Sequence, residues 1–206
     1  MIELIISMCI FVIFLGIVSS SYVSIIRAQR QTNEIRKMYS EVRNFSDFLS
    51  EQIRLSEIDY QCYNYDFTNL DTADSCPALY VKGASTADKT EVLLLSNKNG
   101  FEKVRVSLDQ ESGIATIKRW IKVGGIWQPE SVAGDNIFSG VVKIKNLSFM
   151  VFPSKNPYGS DKSYLIPKTQ FQPMVTVYLS AVNAVSTAPD FSLDYQTTIS
   201  SRVYNR

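Results

Sequence analysis

A chain of 206 residues with 45% hydrophobic content is long enough to bury a sizeable core in one or two domains. Its formal net charge of +1 gives no argument for a general nucleic-acid-binding surface, and no specific nucleic-acid site is identified. The absence of histidine excludes Ser-His-Asp and Cys-His constellations and histidine metal sites. Neither a phosphate-binding glycine loop nor a nucleophile elbow occurs, so nothing positive points to an enzyme or a cofactor.

From Leu4 to Ile26 the chain carries no Asp, Glu, Lys or Arg. At 1.5 Å per residue that run makes roughly 35 Å of helix, enough to cross a hydrocarbon core. It is too long for the apolar part of a signal peptide, the only charge ahead of it is Glu3, and no Ala-x-Ala site follows. Glu3 reads in two ways: as a carboxylate resting at headgroup level, or as a charge that requires a partner. Gly16 and the run Ser19, Ser20, Ser21 are the weakest helix formers of the segment. They suit either close helix–helix contact or a local unwinding site.

The helix pattern continues beyond the membrane edge. No Gly or Pro interrupts Arg27 to Asp59, and Ile35, Met38, Val42, Phe45, Leu49 and Ile53 recur every three or four residues, forming one stripe. The opposite face is dense in charge, from Arg27, Arg30, Glu34, Arg36 and Lys37 to Arg54 and Glu57. A single rod from about Ile2 to Asp59 is expected, about 85 Å long. Residues 1–26 form its apolar half and residues 27–59 its amphipathic half, followed by a β-rich domain over residues 60–206.

Cys62 and Cys76 flank a polar segment, while Cys9 lies in the apolar run as a small hydrophobe. Closing a loop of about 15 residues, a Cys62–Cys76 disulfide would contribute about 3 kcal/mol and imply an extracytoplasmic location; two reduced thiols are the alternative. Asp66, Asp71 and Asp74 in this loop do not have EF-hand spacing and read as a polar surface.

Beyond Pro77, short apolar runs alternate with turn signals. Strands are expected at Ala78–Val81, Glu91–Leu95, Lys103–Leu108, Ile114–Ile121, Val141–Ile144, Leu147–Phe152 and Val175–Leu179. Asn97–Gly100, Gln110–Gly113 and Gly124–Gly125 suit hairpins, and Val104, Val106 and Leu108 share one strand face. Residues 153–173 and 184–189 read as surface loops. Trp120 and Trp127 are expected in the core rather than on an exposed platform. The fold class is therefore α+β, with a long helix covered along its amphipathic half by antiparallel sheet.

The sequence Ile2-Glu3-Leu4-Ile5-Ile6, continuing into an apolar run and then an amphipathic helix, resembles the N-terminus of type IV pilins and type II secretion pseudopilins. The order of long helix, cysteine loop and many strands looks like the larger minor pseudopilins, especially the J-type. Asn146–Phe152, Gln172–Tyr178 and Tyr195–Arg202 resemble the later segments of such subunits. The resemblance implies a pilin-like fold and a single-pass precursor in the cytoplasmic membrane with its C-terminal domain outside, which then joins a pilus or pseudopilus filament. It also implies that Glu3 meets the N-terminal amine of a neighbouring subunit. Two opposite charges buried in an apolar bundle are tolerable only as a pair, and pairing sets register. The implied partners are other pilin or pseudopilin subunits, an inner-membrane assembly platform and a prepilin peptidase.

Two features depart from the family pattern. Family members carry a basic leader ending in glycine and a glutamate slightly further from the mature terminus, whereas this sequence begins with Met and places its glutamate at position three. An internal start, or a few residues missing ahead of Met1, is the expectation. Arg27, Arg30, Arg36 and Lys37 alone would also orient the C-terminal side toward the cytoplasm. The cysteine pair and the resemblance orient it outward.

Overall fold

The computed structural model describes residues 2–63, 89–109, 111–130, 142–153, 172–184 and 191–201. Helix α1 (Ile2–Leu55) runs unbroken for 54 residues, about 80 Å at the usual rise. Met38, Val42, Phe45, Leu49 and Ile53 are buried along it and Ile35 is half-buried, so the apolar stripe faces the core as its spacing predicts. Each such side chain contributes about 1.5–3 kcal/mol relative to exposure.

The helix ends four residues before Asp59. Ser56 N–H still bonds the Gln52 carbonyl at 3.0 Å, but the Ser56 carbonyl accepts the Ser201 hydroxyl, also at 3.0 Å. The chain then extends into β1 (Glu57–Ile58), pairing Ile58 with Leu95. Strand pairing and the burial of Ile58 outweigh local helix preference here. Asp59 instead precedes a single helical turn, α2 (Tyr60–Tyr63).

The strands form two antiparallel sheets where one was expected. In the first, β1 is followed in order by β2 (Val92–Ser96), β3 (Glu102–Asp109), β4 (Ile114–Val123) and β5 (Ile126–Glu130). The second is a meander of β6 (Val142–Phe152), β7 (Met174–Asn183) and β8 (Ser192–Ser200). β5 and β8 were not among the expected strands. Ala78–Val81 and most of the two expected loops lie outside the described residues.

Two expected strands, Val141–Ile144 and Leu147–Phe152, are one. The register shifts between Ile144 and Asn146, so a bulge at Lys145 takes up one residue. Val142 and Ile144 point inward before it and Leu147, Phe149 and Val151 after it, so the apolar positions change phase without changing face. The turn predictions hold at their glycines. Gly124 and Gly125 both have positive φ, 61° and 89°, as a two-residue hairpin turn requires. Gly113 has φ 67°, and a Cβ there would lie 2.6 Å from Lys143 Cγ.

α1 packs on β7 and β8. Its Ser46 hydroxyl is 2.7 Å from the Tyr195 hydroxyl on β8, and Asn183 at the end of β7 donates to Glu34 at 3.1 Å. The first sheet joins the second along β6: Thr90 and Phe149 exchange two backbone hydrogen bonds, and Ile144 N–H donates to the Gly113 carbonyl. One continuous core results, with Leu93, Leu95, Val104, Val106 and Ala115 from the first sheet meeting Phe149, Val175, Val177 and Leu179 from the second. Trp120 belongs to this core and Trp127 packs against it. The architecture is α+β, one long N-terminal helix packed on antiparallel sheet, in agreement with the pilin-like expectation.

Candidate functional site

The two halves of α1 have opposite environments. From Ile2 to Ile25 every residue is exposed, whereas the upper half is anchored in the core. Sixteen large apolar side chains of the lower half are open, among them Ile5, Phe11, Phe14 and Ile17. At 1.5–3 kcal/mol each, leaving them in water forgoes on the order of 25–50 kcal/mol, more than the whole stability of a typical domain. Water is therefore the wrong environment for this segment. It is long and apolar enough to cross a membrane.

Glu3 sits in the first turn of α1, where the helix dipole favours a carboxylate by about 0.3–1 kcal/mol. The helix is regular through Gly16 and through Ser19, Ser20 and Ser21. A Cβ at Gly16 would meet nothing within 4 Å, and Ser24 donates back to the Ser20 carbonyl at 3.1 Å. With no neighbour competing for the backbone amides, the ordinary helical hydrogen bonds prevail.

At the far end of the rod lies a polar cluster that the sequence reading missed. Lys103 Nζ on β3 is 2.6 Å from Asp59 Oδ2, and both side chains are more than nine-tenths buried. Asp59 also caps α2, accepting the Cys62 backbone N–H at 3.4 Å. Cys62 is buried and disulfide-bonded, whereas Cys9 is exposed and free; Cys76, Asp66, Asp71 and Asp74 lie outside the described residues. Lys103 Nζ lies 3.2 Å from Cys62 Sγ, which in turn is 3.0 Å from Asp59 Oδ2. A disulfide sulfur has no proton to give, so only the lysine contact is a hydrogen bond. The ammonium also approaches the Trp127 ring at 5.4 Å. Alternation sets Lys103 on the face opposite Val104, Val106 and Leu108, and both faces of β3 are covered at this row. Asp59 followed by a short helical run was the one readable trace.

The pair binds the segment after α1 to the centre of the first sheet. Around it, burial pushes the Glu57 carboxyl up, partly offset by Lys98, and pushes the Arg105 guanidinium down. The structure keeps the candidate positions apart: Glu3, Gly16 and the serines lie on the bare half-helix, and Cys62 lies above the packed half. Comparison with known proteins finds no matching family model, no similar curated protein and no similar solved structure.

Proposed function

We propose that this chain is a structural filament subunit of the type IV pilin and pseudopilin kind, of minor rather than major type. It is held first in the cytoplasmic membrane with its β-rich domain outside, then packed with other pilin-like subunits through residues 1–26. The observation that carries the proposal is the division of one uninterrupted helix into an apolar half exposed from Ile2 to Ile25 and a half that organises the folded domain. A tether needs only a span, whereas a rigid rod continuous with the core transmits the position of the domain to the packing of its lower half. Lipid first and neighbouring helices later satisfy the same apolar surface, and Glu3, paired with a neighbour's N-terminal amine, sets the register.

Glu3→Ala and Glu3→Gln are expected to impair incorporation into filaments while leaving membrane insertion and the folded domain intact. Wild-type incorporation of both variants would end the role given to Glu3. The second reading is a membrane-anchored extracytoplasmic binding module that uses the helix only as a tether. It draws on the open apolar side chains Phe101, Val123 and Ile126 at the hairpin end of the first sheet. Replacing residues 1–26 by an unrelated membrane span separates the two: an assembly helix loses function and a tether keeps it.

A further inference from the structure

Immediately above the apolar half-helix lies a group of exposed cations. Arg27, Arg30, Arg36 and Lys37 are exposed, and none has an ion-pair partner among the described residues. The one acid between them, Glu34, accepts a hydrogen bond from Asn183 at 3.1 Å. Residues 27–33 are exposed, and along the helix partial burial resumes at Glu34 and Ile35, where Asn183 of the domain reaches Glu34. A bare basic neck therefore separates the membrane-spanning length from the domain.

Distance decides what this neck meets. With residues 4–26 filling roughly 30–35 Å of hydrocarbon, Arg27 and Arg30 fall within the headgroup layer, about 5–8 Å thick on each side. Arg36 and Lys37 stand about 14–15 Å above Arg27, outside direct contact but near one Debye length from the surface. We propose that Arg27 and Arg30 form an anionic-lipid binding collar, each guanidinium engaging a lipid phosphate, with Arg36 and Lys37 adding long-range attraction. The fork of a guanidinium matches the oxygens of a phosphate, and its long stem lets it stay at that level when the helix shifts or tilts. The collar holds the helix at a set depth until it leaves the membrane. This rests on the membrane reading of residues 4–26.

The test reconstitutes the full chain in nanodiscs of phosphatidylcholine with or without phosphatidylglycerol. Insertion is scored by protease protection of the helix, and bound lipid by native mass spectrometry after release into detergent. The wild-type chain inserts in both compositions and retains phosphatidylglycerol selectively. At about fivefold per cation, Arg27→Gln with Arg30→Gln lowers that selectivity about 25-fold without affecting insertion. Arg27→Lys with Arg30→Lys keeps more of it than the glutamine pair. Undiminished selectivity in the glutamine pair overturns the collar and leaves the membrane reading intact, and failure to insert in either composition overturns both. Salt-dependent self-association in phosphatidylcholine alone, with no lipid selectivity, assigns the cations to acids on a neighbouring copy and also overturns the collar.

Discussion

The lower and upper halves of α1 are comparable lengths of one helix, yet they are stabilised by different things. In the upper half, five apolar residues every three or four positions are buried by sheets that come from distant parts of the sequence. In the lower half the apolar residues surround the axis and none is buried. A stripe is sufficient for a helix covered on one side by its own domain, whereas apolar character all round belongs to a helix whose surroundings are supplied by other molecules. Burial within the chain thus separates the half that the fold covers from the half that it leaves open.

Substitutions should separate the halves most sharply at their large side chains. Phe45→Ala, at a fully buried site, is expected to lower the unfolding free energy of the detergent-solubilised protein by about 3–5 kcal/mol. Phe14→Ala should change it by less than about 0.5 kcal/mol in the same denaturant titration. Comparable losses at both positions would mean that the lower half also packs within the chain.

The buried pair at the top of the rod comes next. Lys103→Met leaves the Asp59 carboxylate without its cation and is expected to lose about 3–5 kcal/mol. Adding Asp59→Leu to it should recover most of that loss, less about 1 kcal/mol for the α2 cap. A double variant as unstable as the single one would show that the charges themselves matter less than the shape of the site. Smaller still is the helix–sheet contact of Ser46 with Tyr195, where Tyr195→Phe should remove about 1 kcal/mol if urea midpoints are compared.

The smallest effects appear in the pH dependence. The Asp109 carboxyl is held below its usual range by the Ser112 hydroxyl and nearby backbone N–H groups. Its contribution is present above the unfolded value near 3.9 and is lost as pH falls through the lower folded value. Glu57 has the opposite sign: burial raises its folded value, so its contribution is present below about pH 4.3 and is lost as pH rises through the folded value. Asp109→Asn should flatten the acid limb of the stability curve and Glu57→Gln the limb just above it. Unaltered slopes in midpoint-versus-pH measurements would remove these assignments.

Much of this was legible locally. The charge-free run from Leu4 to Ile26 and the stripe from Ile35 to Ile53 needed only periodicity, because a helix carries its environment in the angular spacing of its side chains. The glycines at 100, 113, 124 and 125 marked turns because positive φ disfavours other residues. The edge strand β5 was harder to read, since Ile126–Glu130 is mostly exposed and contains Pro129. The bulge at Lys145 split one strand into two apparent ones, and only pairing with β7 shows that they are continuous.

What the sequence determined by itself is the rod: where it is bare, which stripe it buries and where the charges begin, all encoded in residues near one another. Tertiary structure alone decided that the rod stops at Leu55, that the strands divide into two sheets, and that Lys103 and Asp59 meet beside Cys62. Each of these depends on a contact between residues far apart in the chain. Pairing and burial across such distances can override a local pattern, as at Ile58, or add what no local pattern carries, as when a lysine opposite the apolar face of a strand becomes half of a buried ion pair.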